Sequence, residues 1–197
     1  MINYKEDKII DFLEKLSNTD SMPGGGVAAS LVGAVGISAA LKVCNLSLGK
    51  EKYKEHESLI KESIVKLEEY KNLLLQLMDE DAEKFKAMEE VYKMPKATEE
   101  EKAKRKKALE EACKICCEVP IKVIAKASSA MTVVVKLVGK TNASAASDLK
   151  VGLKLLTATI YSAWDNIETN LKYIEDEEFK KSLLNIKIQL DDLTKDL

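Results

Sequence analysis

Arginine occurs once in this chain, at Arg105, and histidine once, at His56. Base reading and bidentate phosphate clamps rely on arginine, so the shortage argues against a nucleic-acid partner. The formal net charge of −2 points the same way. Cysteine is scarce and crowded: besides Cys44, the residues Cys113, Cys116 and Cys117 fall within one helical turn. That is no secreted disulfide framework. The Cys113-x-x-Cys116 spacing resembles a metal or redox pair, but no second Cys/His pair accompanies it. Buried cysteines in a helix core are the better reading, with no metal expected. There is no sustained alternation with β-branched enrichment, so no strand is predicted. Repeats and low-complexity tracts are absent too. Residues 1–20 are charged and lack the apolar core of a signal peptide. The stretch from Val27 to Leu48 is apolar enough to suggest a membrane span, but it carries Lys42 and Asn45. It reads instead as a central helix buried by its neighbours. No membrane partner and a cytoplasmic location are expected.

What is present is helix. The 197 residues suit one domain spanning 1–197, with enough apolar residues for a real core. A first helix covers about 3–17, with Ile9, Ile10, Phe12, Leu13 and Leu16 as its apolar set. A second starts after Pro23-Gly24-Gly25-Gly26 and runs to about Leu48, where Gly49 is a stop. It is rich in Ala, Gly, Ser and Val, and Gly33 and Gly36 permit close approach by a neighbour. A third covers about 53–92 and ends before Pro95. Thr98-Glu99-Glu100-Glu101 is a capping box for a fourth, which runs to about Glu118. Pro120 then opens a fifth. After a break at 140–143, a sixth runs from about Ser144 to Ile174, and the last covers about 177–193. The connections are short, which predicts an all-α, up-and-down bundle around a long small-residue helix.

Several residues stand out as candidates for chemistry. On the third helix, Leu74, Leu77, Met78, Phe85, Met88 and Tyr92 form an apolar stripe, and Asp81 sits in its gap. Asp79 lies on nearly the opposite face, with Glu83 and Lys86. An inward carboxyl is costly unless it is paired, and burial raises its pKa toward the range useful for proton transfer. A structural bridge between helices is the alternative. On the sixth helix a small, polar stripe (Asp148, Gly152, Thr159, Ser162, Asn166, Asn170) runs beside the apolar face, with Asn142, Ser144 and Ser147 at its start. It either lines a pocket for a polar heterocycle or is simply solvated. Pro23-Gly24-Gly25-Gly26 leaves helix N–H groups unpaired and lets a ligand come close. It is not a dinucleotide fingerprint, since no strand precedes it. Lys93 and Lys96 flank a rigid helix end and could meet an anionic tail. The run from Lys102 to Lys107 reads as a solvated face. Lys50 and Tyr53 follow the second helix and are ambiguous by themselves.

In order along the chain, these segments resemble the formimidoyltetrahydrofolate cyclodeaminase / methenyltetrahydrofolate cyclohydrolase family. The resemblance rests on Met22-Pro23-Gly24-Gly25-Gly26-Val27-Ala28-Ala29, then Asn45-Leu46-Ser47-Leu48-Gly49-Lys50 with Tyr53, then Asp79-Glu80-Asp81-Ala82 with Phe85. It continues through Tyr92-Lys93-Met94-Pro95-Lys96 and Thr98-Glu99-Glu100-Glu101-Lys102. Asn142, Ser147-Asp148, Asn166 and Asn170-Leu171 complete it, so it extends from about Asp11 to Phe179. Each motif is weak alone; their order and spacing are specific. Two departures are Gly139-Lys140-Thr141-Asn142, where the family has a tighter Gly-Asn turn, and Ser47 in place of threonine.

The resemblance implies a helical bundle that dimerises and acts on the one-carbon unit between N5 and N10 of tetrahydrofolate, with no cofactor beyond that substrate. Cyclodeamination of 5-formimidoyltetrahydrofolate, releasing ammonia, is the first expectation, and hydrolysis of 5,10-methenyltetrahydrofolate to the 10-formyl compound is the alternative. The chain carries no formiminotransferase segment of the kind fused to animal cyclodeaminases, which leaves both reactions open. Asp81 is then the expected proton-transfer group, with Asp148 as second candidate or pterin anchor. Pro23, Gly24, Gly25, Gly26, Asn142, Ser144, Asn166 and Asn170 would shape the pterin pocket, and Lys50, Tyr53, Lys93 and Lys96 the rest of the site, the lysines meeting the glutamate tail. A non-catalytic helical interaction protein is the competing class.

Overall fold

The structure, a computed structural model, describes residues 2–195. Residues 1, 196 and 197, which the single-domain reading includes, lie outside them. Among the described residues the chain is all helix and turn. Six α-helices are present: α1 (Ile9–Leu16), α2 (Gly25–Ser47), α3 (Glu57–Lys93), α4 (Glu99–Leu137), α5 (Ala146–Leu171) and α6 (Glu177–Thr194). Short 3-10 turns at Tyr4–Glu6, Glu51–His56 and Ala143–Ala145 join them.

α2 to α5 make a four-helix bundle in which each helix runs antiparallel to the next. The directions follow from cross-contacts. Lys122 of α4 pairs with Glu80 of α3 near one level, and Arg105 reaches the Val91 carbonyl at the other end. Asn142 meets Ser47 at the end of α2, while Asn166 stands beside Gly25 at its start. The core fills the space between these helices with Ile37, Ile60, Leu67, Leu74, Met131, Leu156, Ile160 and Ile167, all fully buried. Full burial of each such side chain is worth about 1.5–3 kcal/mol, and this burial, more than helix propensity, holds such long helices in place. α6 adds Leu183 and Leu190 to the same core.

α2 is long and apolar enough to cross a membrane, with a mean hydropathy of 1.9, yet 61% of that stretch is buried inside the bundle. Its small residues explain how. A β-carbon placed on Gly36 would stand 3.0 Å from the Gly152 carbonyl oxygen, and one on Gly152 would stand 2.8 Å from that of Gly36. One on Gly33 would meet Leu74 at 2.8 Å and Thr159 at 3.0 Å. Two backbones therefore cross in direct contact, and α5 supplies its own glycine at the crossing. Gly49 ends the helix on its far side with φ +72°, a conformation glycine adopts without strain.

Three expected boundaries differ. The predicted first helix divides into the 3-10 turn and α1, because Asp79 captures the Tyr4 N–H at 2.6 Å and Lys5 at 3.1 Å. Of the first helix's apolar set only Phe12 is buried; Ile9, Ile10 and Leu13 are exposed. The chain does not restart at Pro120, which lies inside the 39-residue α4. Proline costs about 3 kcal/mol in a helix interior, but Val119, Pro120, Val123, Ile124 and Ala127 are all buried. Their packing outweighs that cost. Finally, α3 begins at Glu57, after a 3-10 turn in which Tyr53 departs from helical geometry. The capping box of Thr98 and Glu101 opens α4, with both of its reciprocal hydrogen bonds formed.

The glycine crossing yields a stability test. Gly152→Val forces α2 and α5 apart and should lower the unfolding free energy by about 1–3 kcal/mol. Gly25→Ala, whose added carbon meets Asn166 at an ordinary 3.6 Å, should leave it within about 0.5 kcal/mol. Equal thermal melts for the two variants would contradict the crossing.

Candidate functional site

Where α2 begins, the chain passes through a cis Met22–Pro23 peptide and an extended Gly24. Gly24 has no side chain to cap the helix, and the first ladder bond there runs from the Ala28 N–H to the Gly24 carbonyl at 3.1 Å. The N–H groups of Gly25, Gly26 and Val27 precede it and have no partner within the helix. Directly beside them stands Asp81. A β-carbon on Gly26 would lie 2.5 Å and 2.8 Å from the two Asp81 carboxyl oxygens. Of the three glycines, Gly26 alone is sterically required here, because the carboxyl fills the space a side chain would need. Pro23 is buried behind this turn.

Asp81 is the inward acid that the stripe on α3 predicts. Burial pushes its carboxyl up to about 6, and among the described residues its oxygens have no hydrogen-bond or ion-pair partner. The positive end of α2 favours the ionised form, and desolvation outweighs it. Asp79, two residues earlier, faces away and holds the N-terminal turn. That turn-anchoring role was not visible in the sequence.

A cavity of about 510 Å³ opens from Asp81, within the range of small-molecule sites. Three helices line it in register. α3 contributes Asp81, Phe85, Met88 and Tyr92; α4 contributes Arg105, Leu109, Cys116 and Pro120; α5 contributes Asn166, Thr169 and Asn170, and the turn after it Tyr173. Ser21, Met22 and the three glycines close the inner end. On α5 the Asn166 amide N–H₂ donates to the Ser162 carbonyl at 2.7 Å, and that of Asn170 to the Asn166 carbonyl at 2.9 Å. Both side-chain oxygens are thereby left to accept from a ligand. Cys116 stands near enough to feel the Asp81 charge; burial first, then its neighbours, push its thiol up to about 11, so it is a neutral thiol. Cys113 and Cys117 are buried and free. Pro120 has no N–H to close onto the Cys116 carbonyl, and both residues line the cavity.

The expected site residues separate into groups. Gly24, Gly25, Gly26, Asp81, Asn166 and Asn170 converge on the cavity. Lys50, Tyr53, Asn142 and Ser144 sit at the opposite end of α2, about 30 Å away along a helix of this length. There Asn142 donates its N–H to Ser47 Oγ at 2.7 Å, and the Tyr53 hydroxyl accepts from the Ala143 N–H at 3.3 Å. Asp148 pairs with Lys42 at 2.8 Å, also away from the cavity. Lys93 is exposed and bound to Glu90 at 2.6 Å, and Lys96 is exposed just beyond α3. The polar stripe of α5 thus has two jobs. Gly152 and Thr159 pack on α2, and Asn166 and Asn170 line the cavity. Arg105, Cys116, Leu109 and Tyr173 were not foreseen as lining residues. The α4 set recurs at helical spacing, but which face of α4 turns inward depends on partners far along the chain.

The raised Asp81 pKa has a consequence for stability. Its folded value of about 6 exceeds the ordinary 3.8, so the native state holds the proton more tightly. Well below the ordinary value of 3.8 both states are protonated and burial is free of charge cost. As the pH rises through 4 to 6 the ionised group destabilises the fold, and above 6 the loss is complete. Asp81→Asn should therefore stabilise the protein by roughly 1–3 kcal/mol at pH 7.5 and change it by less than about 0.6 kcal/mol at pH 4. Urea unfolding at both pH values measures this, and a pH-independent difference would refute the burial argument.

Comparison with known proteins agrees with this geometry. Residues 8–187 match the formiminotransferase-cyclodeaminase family. A methenyltetrahydrofolate cyclohydrolase of Methylorubrum extorquens is 39% identical over 115 residues, 58% of this chain and 55% of that protein. The formimidoyltransferase-cyclodeaminase of Gallus gallus is 31% identical over 169 residues, 86% of this chain. The match spans 31% of that longer protein. The crystal structure of formiminotetrahydrofolate cyclodeaminase from Thermotoga maritima superposes with a TM-score of 0.84 at 27% identity, covering 96% of this chain and 90% of that one. With the bundle, the glycine turn and the inward carboxyl in place, the chain belongs to the folate cyclodeaminase and cyclohydrolase family.

Proposed function

We propose that the cavity holds a tetrahydrofolate with its N5/N10 carbon bridge against Asp81, and that the chain hydrolyses 5,10-methenyltetrahydrofolate to 10-formyltetrahydrofolate. The observation that carries this reading is the half-buried Asp81 carboxyl, without a partner among the described residues, at the closed end of the cavity. With a pKa of about 6 the group is mostly a carboxylate near neutral pH, as a general base must be. It also stands where its charge would attract the cationic methenyl bridge. The Asn166 and Asn170 oxygens would accept from the pterin's N–H edge.

In this scheme water adds to the bridging carbon while Asp81 takes one of its protons. The adduct carries a hydroxyl on a carbon still bonded to both nitrogens. Asp81 then gives its proton to N5 as the bond from N5 to carbon breaks. The hydroxyl proton is lost, the carbon stays on N10 as a formyl group, and one proton leaves overall. Identity to the M. extorquens cyclohydrolase supports this order of preference. The second reading is cyclodeamination, supported by the likeness to the T. maritima structure. There N10 attacks the formimidoyl carbon on N5 and its own proton passes to the amidine nitrogen; Asp81 in its acid form then supplies a second proton to that nitrogen, the carbon–nitrogen bond breaks, and ammonia leaves the 5,10-methenyl cation behind. Both readings bring with them a cytoplasmic homodimer that needs no cofactor beyond its folate.

One spectrophotometric assay separates them. Faster loss of methenyl absorbance on adding protein to 5,10-methenyltetrahydrofolate supports hydrolysis. Appearance of that absorbance from 5-formimidoyltetrahydrofolate supports cyclodeamination, and silence with both substrates rejects the folate reading in favour of a non-catalytic protein. Asp81→Asn should reduce turnover about 10²–10⁴-fold with unchanged helicity by circular dichroism. Near-normal turnover in that variant would remove Asp81 from the mechanism.

A further inference from the structure

We infer, resting on the folate reading above, that Arg105 recognises the carboxylate of the ligand's glutamate and so fixes which end of the cavity the anionic tail occupies. Among the described residues two ionic side chains line the cavity, Asp81 and Arg105. They belong to opposite ends of it. From Asp81 to Val91, whose carbonyl holds Arg105, is ten residues of α3, about 15 Å at helical rise. From Cys116, beside Asp81, back to Arg105 is eleven residues of α4, about 16 Å by the same rise.

The arginine is prepared for a ligand. Its Nε–H donates to the Val91 carbonyl at 3.2 Å, which anchors the plane of the guanidinium and leaves the terminal nitrogens without a bond among the described residues. No carboxylate among the described residues pairs with it. The expected tail-binding lysines are placed otherwise: Lys93 is spent on Glu90, and neither Lys93 nor Lys96 lines the cavity. Between the two ionic ends lie Phe85, Met88 and Leu109, apolar walls suited to an aromatic ring. The arm of a folate from N10 through benzoyl to the glutamate α-carboxylate spans roughly 10 Å at ordinary bond lengths. The reach of an arginine side chain covers the remainder. A ligand with a cationic bridge at one end and a carboxylate at the other matches the cavity's polarity only in this orientation, and a planar fork suits a carboxylate better than a lysine does.

The experiment compares 5,10-methenyltetrahydrofolate with the 5,10-methenyltetrahydropteroyl amide, in which a neutral carboxamide replaces the glutamate, on wild type and on Arg105→Gln. The wild type should prefer the glutamate-bearing substrate about 10–100-fold in kcat/KM, the size of a charge-assisted pair. Arg105→Gln should bring the ratio between the two substrates toward one, chiefly by raising KM for the folate. Arg105→Lys should recover part of the preference. Circular dichroism and a thermal melt check that the variant is folded. If the substitution lowers both substrates equally, or neither, the assignment is overturned while the folate reading stands. If wild type converts neither compound by hydrolysis, and cyclodeaminates neither formimidoyl counterpart, the folate reading fails and this assignment with it.

Discussion

The approach of the Asp81 carboxyl to the backbone of Gly26 sets the terms for the rest of the site. Two helices that start and end far apart in sequence must meet with no side chain between them. That demands a glycine on one and an acid in the apolar stripe of the other. It leaves the acid desolvated, which raises its pKa to about 6. It also places the bare start of α2 at the closed end of the cavity. The close seam along Gly33, Gly36 and Gly152 serves the same arrangement, since it holds α2 deep enough in the bundle for its first turn to reach α3.

Much of this was legible in the residues. Periodicity placed Asp81 inward and Asp79 outward, and the run of small residues marked α2 as the buried helix. The capping box marked the start of α4. Local rules succeed there because each signal is contained within one or two turns of helix. Pro120 shows where they fail. A proline's cost is local, and the packing of Val119, Val123 and Ile124 that overcomes it is not. α1 shows the converse. Its apolar pattern is strong, yet most of that face is exposed, because the remainder of the fold offers it contact only around Phe12.

The site was legible in its acid and its glycines and less so in its extent. The polar stripe on α5 looked continuous, but one half packs against glycines and the other lines a cavity, and only the facing helix decides which. Arg105 is the sharper case. Its rarity argues against base reading and bidentate phosphate clamps, and says nothing of a single carboxylate. A lone arginine among lysines in a basic run carries no marking that it faces inward. Its anchor, the Val91 carbonyl, sits across the α3–α4 turn.

The unbroken course of α4 through Pro120 has a consequence for how the cavity measures its contents. α3 and α4 are two stiff rods laid side by side, and the lining residues are marks along them. A single residue inserted between Arg105 and Cys116 would swing one mark by roughly 100° around its rod and take it out of the cleft. Extra residues in the connection at 94–98 would leave every mark where it is. The cleft is a caliper of fixed gauge, and variation in chain length is tolerated at its hinge end and not along its jaws.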